Sequence, residues 1–267
     1  MDHHLKEFYR QSSDGTPRGN FHSVIPLHQT VDMPWPTAKE KAPNLSRGWY
    51  ELAHLTTGDR IEFSRDFWLT KLPYRSGLNE FLNKFFSSLD DIGIFITQKK
   101  FEDPYEAHMI YSLRGNSGFF CGGPPATEKD LIQLQNAFPG IILPNDYSLF
   151  LQIHNGFFKT TDSTGITKTK DMPESYKEFR KLQPDAIKTS KKTFIDPTAL
   201  IPFYESFGMP FYQCFLTEWY PENEMGNVYY SGESKSISDI YSKSSSEETM
   251  AFTTFTDWLI FYLESVV

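Results

Sequence analysis

The chain has 267 residues, 39% hydrophobic and 22% charged, with a formal net charge of −8. That length can bury a core as one large or two smaller domains, in the proportions of a globular protein. The acidic balance argues against nucleic acid, because a phosphate-tracking surface needs clustered Lys and Arg.

Cys121 and Cys214, the two cysteines, are too few for a disulfide framework and form no zinc-ligand pair. The first residues have no apolar core of a secretory leader, and no run approaches the roughly 20 apolar residues of a membrane helix. The expectation is a cytoplasmic protein with no membrane partner and no cofactor. Its high aromatic share, 16%, tilts the fold towards sheet.

Residues 1–46 are polar and interrupted by Pro17, Pro26, Pro34, Pro36 and Pro43, which predicts an extended proline-rich arm. Trp35 within Val31–Pro36 is either a docking residue or packs back on its own domain. Residues 47–118 predict a small α+β layer. Strands are expected over 49–55 and 60–72, with a turn at Thr57-Gly58-Asp59 between them. A helix over 76–88 follows, with Leu78, Phe81, Leu82, Phe85 and Phe86 on one face. Strands over 92–98 and 107–113 form a hairpin. Residues 115–125, rich in Gly and Pro, predict the boundary between the halves.

From residue 119 to 267 a second α+β domain is expected. Thr127 and Asp130 predict a capping box, followed by a stripe of Leu131, Leu134 and Phe138. After Pro144, Asn145 or Asp146 is expected to cap a helix that buries Tyr147, Phe150, Leu151 and His154 and closes at Gly156. A charged segment follows with a helical centre over 174–182, then strands over 199–205, 211–217 and 226–231. Thr254 and Asp257 predict a second capping box, on a closing helix that buries Phe255, Trp258, Leu259 and Tyr262.

The order Phe138-Pro139, Leu143-Pro144-Asn145-Asp146-Tyr147, Phe150-Leu151 and Asn155-Gly156 resembles the opening of the SUKH superfamily. Leu200-Ile201-Pro202-Phe203, the 211–215 strand, Gly226 to Tyr230 and Phe255 to Leu259 continue the likeness over roughly 120–267. That group includes fungal regulators of cell-wall glucan synthesis and bacterial toxin-immunity proteins. The resemblance implies helices on a twisted, mainly antiparallel sheet. It implies a non-catalytic protein-binding module, with no shared catalytic residues to carry over. Gly208-Met209-Pro210 departs from the acidic, glycine-rich turn of many members, so nothing known of that turn transfers.

No catalytic set is complete. Ser117 in Gly115-Asn116-Ser117-Gly118 lacks the second glycine of a nucleophile elbow, where Phe119 stands. Cys121 could act as a thiol nucleophile with His108 or His154 as base, which keeps a thiol-dependent enzyme as an alternative. Asp162-Ser163-Thr164-Gly165 has one residue too many for an aspartic-protease triplet. His3, His4, His22 and His28 lack metal-ligand spacing. His154 fits a core histidine, and Lys168 to Lys192 a solvated helix face interleaved with acids.

Glu218, Trp219, Tyr220, Glu222 and Glu224 form the expected partner-binding surface, since aromatic contact area rimmed by carboxylates suits a basic protein such as a toxin or effector. A scaffold or regulator tethered by residues 1–46 is the other alternative.

Overall fold

The computed structural model describes residues 1–10, 20–30, 32–162, 164–189, 191, 193–206, 210–221, 223–242 and 244–264, without the side chains of residues 76 and 247. They form an α+β protein with two units, Met1–Pro124 and Pro125–Ser265.

The first unit runs α1 (His4–Phe8), β1 (Ser23–Pro26), a 3-10 turn, α2 (Trp35–Lys41), α3 (Arg47–Ala53), α4 (Thr57–Lys71), α5 (Ser76–Ser87), β2 (Leu89–Gln98), β3 (Glu106–Leu113) and β4 (Phe119–Gly122). The strands pair antiparallel in the order β1-β2-β3-β4. On α5, Leu78, Phe81, Leu82, Phe85 and Phe86 are all buried, as their 3.6-residue spacing requires.

Three parts of this unit depart from the sequence expectations. Within residues 1–46, β1 lies in register with β2, and the half-buried Trp35 packs edge-on to Tyr50 at 5.3 Å. Residue 31 of the expected docking segment lies outside the described residues. The expected strands over 49–55 and 60–72 are the helices α3 and α4. Their starts are fixed by side-chain caps: Ser46 Oγ accepts from Trp49 N, and Thr56 Oγ1 from Asp59 N. Finally, the expected linker contains β4, whose Cys121 lies opposite Ile110 on β3.

The second unit runs α6 (Glu128–Ala137), α7 (Asn145–Leu151), β5 (Phe157–Lys159), β6 (Gly165–Ile166), α8 (Met172–Leu182), β7 (Ile187–Lys188), β8 (Phe194–Ile195), a 3-10 turn, β9 (Leu200–Glu205), β10 (Phe211–Leu216), β11 (Asn227–Ser231), β12 (Ser236–Ile237), α9 (Ser246–Thr249), β13 (Ala251–Phe252) and α10 (Phe255–Glu264). Its sheet is ordered β5-β6-β9-β10-β11-β12, with β13 beside the start of β11; β7 and β8 form a separate ribbon. The Thr127–Asp130 capping box on α6 is complete.

At the centre of this unit, the Tyr147 ring lies 5.1 Å from both Phe215 and Phe255 and 5.8 Å from Phe203, while Trp258 meets Phe203 edge-on. Helix α7 ends at Leu151, earlier than expected. Gly156 is left-handed (φ +90°), but it serves the turn into β5, where a Cβ would lie 2.7 Å from Lys168 Cγ. Among the described residues, no helix is long and apolar enough to cross a membrane.

Candidate partner-binding site

Strands β10 and β11 pair from Phe211↔Ser231 to Phe215↔Asn227, so the connection over 217–226 is held by both strand ends. Its closure is a run of backbone bonds: Leu216 N to Gly226 O (3.0 Å), Gly226 N to Trp219 O (2.9 Å) and Trp219 N to Leu216 O (3.0 Å). Thr217 N donates to Ala199 O at 2.9 Å, which ties the loop to the residue before β9. Gly226 is required here for a steric reason, since a Cβ would lie 2.4 Å from Trp219 Cε3. The indole therefore rests on the strand start, against the buried cluster that contains Cys214, Leu216, Val228 and Tyr230.

This arrangement divides the expected residues. Trp219 is half-buried and anchors the loop from inside, so its ring is mostly spent on its own fold. Glu218 and Tyr220 are exposed, the latter at 51%, and Glu224 is half-buried. Asn223 holds a left-handed backbone (φ +61°), a conformation that asparagine tolerates. Glu222 lies outside the described residues, as do residues 207–209 of the preceding turn.

The other sequence candidates fall in different places. Ser117 is exposed, beyond a 3-10 turn. Cys121 is 2% exposed within β4, which withholds its thiol from solvent. Cys214 lies in the core, and burial pushes its thiol well above its ordinary pKa. His154 is buried and stacks on Phe157 at 5.3 Å. Asp2, His3 and His4 each bring a possible ligand atom within 4.8 Å of the others. The Asp2 carboxylate, however, accepts from Gly118 N (2.7 Å) and His4 N (2.8 Å) and pairs with His4 Nδ1 (2.7 Å), so it works as a backbone clamp.

Two polar networks were missed by sequence reasoning. Pro144 holds the N-cap position of α7, and Asp146, inside the first turn, accepts from Tyr147 N through Oδ1 at 2.9 Å. Its Oδ2 accepts from Thr256 N and Thr256 Oγ1, each at 2.8 Å, and so satisfies donors in the first turn of α10 as well. Asp162 accepts from Tyr204 Oη (2.8 Å), Lys159 N (3.0 Å) and Tyr262 Oη. Burial first, and then the Asp162 charge, push the Tyr262 phenol well above its usual pKa, so it stays a donor. Asp146 is buried and Asp162 half-buried by elements distant in the chain, so neither is marked off from a surface acid by any local sequence signal.

No curated protein and no solved structure matches the chain. The profile of the SMI1/KNR4 family (SUKH-1) matches residues 125–260, which covers α6 through most of α10. With the capped helices, the aromatic centre and the antiparallel sheet all inside that match, the chain belongs to the SMI1/KNR4 family (SUKH-1).

Proposed function

We propose that the chain is a non-catalytic module that binds and restrains another protein, of basic character, through the β10–β11 connection. Family membership supports this reading, because SUKH members are generally binding or immunity proteins without a catalytic centre. The observation that carries it is the division of labour in the loop. Trp219, seated over Gly226, fixes the backbone, and Glu218 and Tyr220 face solvent beside it. A backbone pinned at Leu216, Thr217, Trp219 and Gly226 loses less entropy there on docking, and a tyrosine beside a carboxylate offers contact area to a cationic surface. The chain's net charge of −8 adds long-range steering that weakens as salt rises.

The test is affinity capture from the source cell with wild type and Glu218→Lys/Tyr220→Ala side by side, followed by titration of the captured protein. A basic protein held by wild type, lost by the variant and released by salt is the expected result. Identical captured sets would overturn the assignment of the surface. A thiol-directed activity probe that labels Cys121 in the native protein would overturn the non-catalytic reading.

A further inference from the structure

In the first unit, α4 is phased in an unusual way. A surface helix ordinarily turns its apolar stripe inwards, yet α4 buries Arg60, Ser64 and Trp68 and leaves Phe63 and Phe67 63% and 42% exposed. Polar bonds hold this orientation. Arg60 Nη2 meets Asp91 Oδ1 on β2 at 2.6 Å, Arg60 Nη1 donates to Leu55 O at 2.7 Å, and Trp68 Nε1 donates to Tyr111 Oη at 3.0 Å. Arg60 Nε and Ser64 Oγ are buried without a partner among the described residues. The helix thus accepts unsatisfied polar atoms inside while two aromatic rings, one turn apart, stay in water. Rings placed singly on a surface need no explanation, but two at i, i+4 spacing on one helix face form a stripe.

That stripe is bordered by acids. Asp59, Glu62 and Asp66 are exposed on the same helix, and Arg65 is drawn onto Asp66 (2.8 Å) and Glu62 (3.5 Å). Partial neutralisation by Arg65 leaves the border net acidic. We infer that the outer face of α4 is a docking surface for an amphipathic helical segment of a partner protein, whose apolar stripe covers Phe63 and Phe67 and whose flanking Lys or Arg residues meet Glu62 and Asp66. Recognition of this kind reads apolar anchors at helical spacing and uses the rim charges for orientation. The inference rests on the first unit alone and is independent of the β10–β11 surface.

The probe is a fluorescein-labelled Leu/Lys peptide of about 16 residues, long enough to form a helix, with Leu on one face and Lys beside it. Anisotropy titration of the full chain should show saturable binding. Phe63→Ser/Phe67→Ser should weaken it at least about tenfold, as expected when central aromatic anchors are lost. Glu62→Lys/Asp66→Lys should reject the Lys peptide and accept its Glu counterpart. Unchanged affinity in Phe63→Ser/Phe67→Ser would overturn the inference, since the peptide would then be resting on acidic surface elsewhere. Sedimentation equilibrium showing a dimer that the same double variant dissolves would also overturn it, by naming a second copy of the chain as the occupant.

Discussion

Each unit holds a carboxylate at a junction between elements; both accept from the next residue's N–H, Ile92 N on Asp91 (2.7 Å) and Tyr147 N on Asp146 (2.9 Å), and they differ in the partner they reach across the fold. In the first unit, Asp91 on β2 faces the Arg60 guanidinium at 2.6 Å, with side chains 16% and 7% exposed. In the second, Asp146 is held by the N–H and hydroxyl of Thr256 at the start of α10. Deleting the Arg60–Asp91 pair removes both charges together, though Leu55 O and Ile92 N lose the partners that the pair supplies. Deleting Asp146 leaves the N–H groups of Thr256 and Tyr147 whatever side chain replaces it. The first junction is therefore a device for orienting a helix, and the second is part of the framework.

Substitution should separate them. Asp146→Ala strands buried donors at Thr256 and should cost about 3–5 kcal/mol in urea unfolding, at about 1–3 kcal/mol per stranded group. Asp146→Leu/Thr256→Val should stay near that value, since the Thr256 N–H still lacks an acceptor. Recovery to wild-type stability in the double variant would mean that the capping of α10 is not what Asp146 supplies. Arg60→Ala should also cost about 3–5 kcal/mol by leaving Asp91 uncompensated, and Arg60→Met/Asp91→Leu should recover part of that loss, the remainder belonging to Ile92 N and Leu55 O. If that double variant stays as damaged as the single one, charge pairing is not what the contact supplies.

The same contrast explains what could be read from the residues. Where burial follows apolar spacing it was legible: the α5 face, the strands β9 to β11 and the aromatic face of α7 appear where the pattern puts them. Helix α4 reads as a strand from its sequence because its inward residues are Arg60, Ser64 and Trp68, which leaves no apolar period to see. Its cap, Thr56 with Asp59, resembles a turn when the following helix is not recognised. Asp146 is legible as an acceptor at the start of α7, where it takes Tyr147 N, but its second partner, Thr256, is 110 residues away and leaves no local signal. At the candidate site, the aromatic and acidic content of the loop was visible. That Trp219 faces inwards depends on the missing Cβ of Gly226 and could only come from packing.

The smallest expected effect concerns pH, and it falls on the unit built with ionisable anchors. His28 Nδ1 donates to Ile94 O at 3.2 Å, and burial holds the imidazole below its ordinary pKa. The groups that face it are Asp91, which favours the proton, and Arg60 and the Met1 amine, which oppose it. The sign follows from the folded pKa lying below the unfolded value of about 6.5. Above that value both states are neutral at His28 and its contribution is fully present. As pH falls from about 7 towards 5, the unfolded chain takes up a proton that the folded chain refuses, and stability is lost until the folded pKa is passed. Hydrogen exchange over 89–98 should therefore accelerate on acidification, relative to its intrinsic rate, and His28→Gln should reduce that slope without altering exchange over 200–205. A slope unchanged in His28→Gln would mean that the acid sensitivity of β2 does not come from His28, and that its bond to Ile94 O is a packing contact rather than a proton-linked one.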